Sequence, residues 1–231
     1  MFFCFATPDK KFDLIDSDIT YVKLATDLVK TAKVFHKDIL FTVMGFGLTW
    51  PDIKQLEEAG ARVINYAAFK DDKEKWGMFA TYLPWALRET EKWLITFGAD
   101  CIVRKPLDDL IAIGERDTPV FGVLHRPTMP PRARFNTGTM VMNKGAMPLM
   151  DAWLPIYKEL CKQKNWMHID EQRAIFEATQ KVGGIELVDT GIMYNDMDLI
   201  PNSYVWHGQR WVQGGKWEDE VKDILAKKDE S

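Results

Sequence analysis

Cysteine is scarce in this chain. Three in 231 residues, Cys4, Cys101 and Cys161, are odd in number and scattered. They form neither a disulfide framework nor a run with metal-ligand spacing, which fits a reducing compartment. A basic excess is absent as well. The formal net charge is −4, so a whole-surface grip on nucleic acid is not expected. No apolar run is long enough to cross a membrane. The start, MFFCFATPD, lacks the basic segment and the long apolar stretch of a secretory leader, and a cytoplasmic location is expected. No Gly-x-Gly-x-x-Gly follows a strand-like run, which argues against a dinucleotide dehydrogenase. Internal repeats and low-complexity tracts are missing too.

What is present reads as an ordinary globular chain, 46% hydrophobic and 28% charged. Its length suits one α/β domain over residues 1–231, large enough to bury a core without disulfides. A strand is expected at Met1 to Ala6. Val22, Ala25, Leu28, Val29, Ala32 and Phe35 follow at helical spacing. Next come a strand at Ile39 to Met44, a short helix opened by Pro51 and stopped at Gly60, and a strand at Arg62 to Asn65. This alternation predicts a mostly parallel sheet flanked by helices. Further along, a helix is expected over Lys75 to Glu89, and strands at Trp93 to Phe97, Cys101 to Val103, Val120 to Leu124 and Thr139 to Met142. Helices are expected over Pro148 to Lys162, from Asp170, and from Trp217.

Four segments carry candidate chemistry. In TFGADCIVRKPLDDL, an apolar strand ends and Asp100 follows. Ligands of open α/β sheets bind beyond the carboxyl ends of strands, and an acid there can hold a hard cation. Asp100 reads equally well as a turn cap. In RFNTGTMVMN, Asn136, Thr137 and Gly138 lead into a strand, either as a plain turn or as a place where backbone approaches a ligand. In WMHIDEQRAIFEAT, Asp170, Glu171 and Gln172 open a helix, as cap residues or as a polar cluster for sugar hydroxyls. In YVWHGQRW, His207 can ligate a metal, Gly208 can offer an amide to phosphate, and Arg210 supplies charge. The bland reading there is an aromatic core strand. A proline-stiffened basic loop, HRPTMPPRAR, is a candidate acceptor-site wall through Arg132 and Arg134, or a solvated surface loop.

Taken in order, these segments resemble the GT-A glycosyltransferases of the glycogenin and lipopolysaccharide-galactosyltransferase type. The matching stretches are Ala6-Thr7-Pro8-Asp9, Ala99-Asp100 with Pro106-Leu107-Asp108-Asp109-Leu110, Phe135-Asn136-Thr137-Gly138 with Asn143, Asp170-Glu171-Gln172, and His207-Gly208-Gln209-Arg210-Trp211. The resemblance spans nearly the whole chain and implies a GT-A fold. It implies transfer of a sugar from a nucleotide-diphosphate sugar, UDP being the commonest nucleotide of the family, to a hydroxyl acceptor with retention at the anomeric carbon. Ala6, Thr7 and Asp9 would lie near the base and ribose. Asp100 and His207 would bind Mn²⁺ or Mg²⁺, and Gly208 and Arg210 the diphosphate. Asn136, Thr137, Glu171 and Gln172, with Asp170 beside them, would surround the transferred sugar. One position departs from the pattern: Gly98 stands where the family has the first acid of its metal motif.

Two other readings compete. A sugar-phosphate nucleotidyltransferase would carry a glycine-rich basic loop after the first strand, where this chain has Thr7-Pro8-Asp9-Lys10-Lys11. A degenerate GT-A module would bind nucleotide or glycan without transfer. Gly98 favours that reading, and intact Asp100 and His207 oppose it.

Overall fold

A computed structural model of the chain describes residues 1–9, 19–208 and 215–227. From the start, β1 spans Phe2–Ala6, α1 Tyr21–Phe35, β2 Phe41–Phe46, α2 Trp50–Glu58 and β3 Ala61–Tyr66. Then come α3 (Asp72–Trp76), α4 (Met78–Glu89), β4 (Trp93–Phe97), β5 (Cys101–Val103) and α5 (Asp108–Gly114). The remainder runs β6 (Val120–His125), β7 (Phe135–Asn143), α6 (Met147–Leu160), α7 (Asp170–Lys181), β8 (Glu186–Asp189), β9 (Val205–His207) and α8 (Lys216–Ala226). Among the described residues the central sheet has seven strands in the order β3-β2-β1-β4-β7-β6-β8, and β5 pairs with β9 in a separate ribbon. This is the mostly parallel α/β architecture that the alternation predicts.

Several boundaries differ from the sequence expectation. The second strand begins at Phe41, not Ile39. The helix expected over Lys75 to Glu89 breaks at Gly77, which ends α3 and caps α4. A Cβ at Gly77 would lie 2.3 Å from Cε1 of Tyr157, so the packing of that ring excludes a side chain. The strand expected to start at Thr139 starts at Phe135.

The chain divides into two compact units. The first comprises Met1–Ala68, Thr96–Leu107 and Ile192–Ser231. In it β1 pairs in parallel with β2, and β2 with β3. Every residue of β1 and β2 is buried, as expected of parallel strands covered on both faces. Helix α1 starts at Thr20, whose hydroxyl accepts the Lys23 N–H at 3.2 Å and so satisfies one of the orphan donors of the first turn. The β5–β9 ribbon is antiparallel, pairing Ile102 with Trp206 and Cys101 with His207. Ile102 and Trp206 are buried in a core with Leu24 of α1 and Trp217, Val221 and Ile224 of α8. The Trp217 indole N–H donates to Asp27 Oδ2 at 2.9 Å, tying α8 to α1. Because side chains alternate along a strand, this anchoring turns Cys101 and His207 to the opposite face of the ribbon.

The second unit comprises Phe69–Ile95 and Asp108–Gly191. Here β6 pairs with β7 antiparallel and with β8 in parallel. The β6–β7 register jumps: Val123 faces Met140, but Leu124 faces Asn136. Thr137, Gly138 and Thr139 therefore bulge out of the ladder. Bulges concentrate next to active sites, where they re-aim side chains.

Candidate functional site

Strand β4 ends at Phe97, and Asp100 stands in the turn that follows, after Gly98 and Ala99. One donor atom each from Asp100, Cys101 and His207 lie within 4.8 Å of one another. His207 Nε2 is 3.2 Å from Asp100 Oδ1. The other ring nitrogen, Nδ1, lies 3.0 Å from Asn195 Oδ1. With that amide oxygen accepting, a proton sits on Nδ1; the neutral ring then turns its Nε2 lone pair to the Asp100 carboxylate, and the protonated ring forms an ion pair with it. In the neutral form the two acceptors can share a cation. A ligating histidine whose second nitrogen is held by an oxygen acceptor is the usual support of a metal site. The donor set therefore fits a divalent cation.

Gly98 belongs to the same cluster. A Cβ built there would lie 2.9 Å from Asp100 Oδ1, 3.7 Å from Cys101 Sγ and 3.7 Å from His207 Nε2. The absent side chain points at the three donors. The backbone at Gly98 is not in the left-handed region, so nothing in its conformation requires glycine.

Gly208 does not present its amide as expected. Its N–H donates to the Asp100 carbonyl at 2.9 Å and extends the β5–β9 ribbon. Glycine is needed there for space, since a Cβ would lie 2.5 Å from Trp217 Cζ3. Arg210 lies outside the described residues. At the carboxyl end of β1, Ala6 and Thr7 are buried, and Thr7 Oγ1 has no hydrogen-bond partner among the described residues. Such an orphan costs about 1–3 kcal/mol unless a ligand or water satisfies it. Asp9 is exposed, and its carbonyl accepts the Tyr21 N–H at 3.1 Å.

In the second unit the four polar candidates divide by what they touch. Asn136 Oδ1 accepts the Gly138 N–H at 2.9 Å and stabilises the bulge of β7. Gln172 Oε1 is buried without a hydrogen-bond partner. Glu171 is turned to α4: Oε1 accepts the Phe79 N–H at 3.0 Å and the Ala80 N–H at 3.4 Å, the free donors of that helix's first turn. Burial pushes the Glu171 carboxyl well above the usual range, and the two amides only partly offset this. Asp170 is 1% exposed and accepts Arg132 Nε at 2.6 Å, with the Met167 N–H on its second oxygen at 2.8 Å. Glu171 and Asp170 thus make contacts within the scaffold, Glu171 with the start of α4 and Asp170 with Arg132 and the Met167 N–H. The basic loop is similarly engaged. Arg132 is held by Asp170 and the Asn165 carbonyl, and Arg134 by the Met129 carbonyl and the face of Phe176. Asn195 and Cys101 were not among the residues expected from the sequence.

No family model and no curated protein sequence matches the chain. Solved structures do. The galactosyltransferase LgtC, crystallised with donor and acceptor sugar analogs, superposes with a TM-score of 0.62 at 13% identity, over 98% of this chain and 96% of LgtC. The glycosyltransferase GlyE of Streptococcus pneumoniae TIGR4 gives 0.60 at 13% identity, over 98% of this chain, which spans 62% of the GlyE chain. A glycosyltransferase involved in glycosylation of the major capsid of PBCV-1 gives 0.53 at 13% identity, over 97% and 98% of the two chains. The chain has the fold of these glycosyltransferases, the GT-A fold that its motifs imply. Among the described residues, no helix is long and apolar enough to cross a membrane.

Proposed function

We propose that the chain is a metal-dependent glycosyltransferase that uses a nucleotide-diphosphate sugar, with UDP as the nucleotide, and moves the sugar to a hydroxyl acceptor with retention. The observation that carries this reading is the cluster of Asp100 and His207 just past the carboxyl end of β4, with Asn195 orienting the imidazole. It stands where open α/β sheets bind their ligands. The nature of the structural neighbours supports the sugar as substrate, and the sequence resemblance supplies donor type and stereochemistry.

Asp100 and His207 would hold the divalent cation, for which the sequence resemblance implies Mn²⁺ or Mg²⁺. When bound, that cation offsets the negative charge developing on the departing nucleoside diphosphate. Asn195 keeps the His207 proton on Nδ1 and the Nε2 lone pair available. Thr7, with its unsatisfied hydroxyl, serves base or ribose, with Ala6 and Asp9 alongside. Arg210 adds charge against the diphosphate. Gln172 and Asn136 are assigned to hydroxyls of the transferred sugar, because Gln172 Oε1 is a buried acceptor awaiting a donor. Glu171 and Asp170 are positioning residues: they fix the helix that carries Gln172 against α4 and Arg132.

Calorimetric titration of Mn²⁺, with and without UDP, tests the assignment. The parent should bind Mn²⁺ weakly alone and more tightly with UDP, and Asp100→Asn should lose the UDP-linked gain. Full metal-dependent UDP binding by Asp100→Asn would remove the basis of the proposal. Tight binding without hydrolysis or transfer of any nucleotide sugar would favour a binding module.

A further inference from the structure

The cluster holds a third donor that the sequence motifs do not assign. Cys101 is fully buried and pairs directly with His207 across the β5–β9 ribbon. Directly opposite residues in a sheet bring their Cβ atoms to within about 4.5–5.5 Å. The anchoring of Ile102 and Trp206 in the helix-side core fixes both side chains on the other face. Cys101 Sγ consequently lies within 4.8 Å of donor atoms of both Asp100 and His207. It also lies 3.7 Å from the position of a Gly98 Cβ, where a second carboxylate would enter.

We infer that Cys101 is a metal ligand, and that its thiolate makes this centre selective for a thiophilic divalent cation, Zn²⁺ or Co²⁺, over Mn²⁺ and Mg²⁺. This rests on the Asp100–His207 site proposed above and changes which cation that site prefers. Charge and softness both favour it. Asp100 and neutral His207 leave a bound divalent cation with one uncompensated positive charge in a buried place, and uncompensated buried charge is costly. A thiolate brings the sum to neutral; the thiol proton leaves to solvent as the metal enters. Carboxylate and water suit Mg²⁺ and Mn²⁺, whereas sulfur and imidazole suit Zn²⁺. Three protein ligands with one position open is the pattern of catalytic zinc, and the open position would take a water or diphosphate oxygen.

Co²⁺ is the probe, because a thiolate ligand gives it a charge-transfer absorption in the near ultraviolet that oxygen and nitrogen ligands do not. The parent, titrated with Co²⁺, should develop that band, and Cys161→Ser should keep it. Cys101→Ser should lose the band and weaken Zn²⁺ binding by about 100-fold or more, beyond the loss of an outer-sphere partner, while Mn²⁺ binding with UDP changes by less than about tenfold. Co²⁺ bound by the parent without the band overturns the inference and leaves the Asp100–His207 reading intact. A band lost in Cys161→Ser also overturns it. No binding of any divalent cation overturns both. The parent spectrum decides the matter even if Cys101→Ser fails to fold.

Discussion

Gly98→Asp places a carboxylate where the missing side chain points. Its Cβ would sit 2.9 Å from Asp100 Oδ1, tight enough that the Asp100 carboxylate must rotate aside, and 3.7 Å from His207 Nε2. Without metal the two carboxylates repel. At about 4 Å and an effective dielectric of about 20 the bare interaction is about 4 kcal/mol, an upper bound before relaxation. A loss of about 1–2 kcal/mol is the reasonable expectation, or roughly 2–8 °C in Tm for a chain of this size. With Mn²⁺ the sign reverses, because a hard cation gains an anionic oxygen ligand. Each tenfold gain in affinity adds about 1.4 kcal/mol at saturation, roughly 3–6 °C. Thermal melts of parent and Gly98→Asp across a Mn²⁺ series, without nucleotide, read both effects. The variant should start lower and rise further. An unchanged apo Tm together with a Mn²⁺ shift no larger than the parent's would show that position 98 does not face the cation.

The remaining predictions concern the residues that hold the site. Asn195→Ala should weaken metal binding by about 10–100-fold with little change in Tm, as loss of an outer-sphere partner does; unchanged calorimetry would free His207 from its assigned orientation. Glu171 has a raised folded-state pKa, so the folded protein binds the extra proton and stability falls as pH rises from the usual glutamate value through the raised one. Glu171→Gln keeps an acceptor for Phe79 and Ala80 and should flatten that decline above the usual glutamate pKa of about 4.3; an equal slope in both proteins would contradict this. Arg132→Leu leaves the Asp170 carboxylate buried without its partner and should cost about 3 kcal/mol, measurable by denaturant melts. A loss confined to acceptor kinetics would instead revive the loop as an acceptor wall.

The sequence was most legible where burial is complete. Strand β1 is an unbroken apolar run, β4 and β6 are largely apolar, and period alone marks α1 and α6. Strand β8 escaped because Glu186, Leu187 and Asp189 are exposed at the edge of the sheet, so no apolar pattern marks it. The start of β7 escaped for a different reason. Asn136-Thr137-Gly138 has the composition of a turn, and only the paired strand shows that it is a bulge within the ladder. The break at Gly77 did carry a signal, a glycine inside the helical pattern. In the candidate site, Asp100 and His207 were singled out by type and order, and the structure brings them together. Cys101 was not, because a cysteine in Cys-Ile-Val reads as core until β9 brings His207 opposite it. The contacts of Glu171 were hidden for the same reason: its partners at Phe79 and Ala80 lie some ninety residues earlier in the chain.

The central claim, sugar transfer dependent on a cation at Asp100, is tested most directly by turnover. Release of UDP from a panel of UDP-sugars would be followed with and without divalent cation, for the parent and for Asp100→Asn. The parent should release UDP from at least one donor only when cation is present, and Asp100→Asn, folded by its melt, should release none above the uncatalysed rate. Cation-independent release by the parent, or undiminished release by Asp100→Asn, would contradict the account.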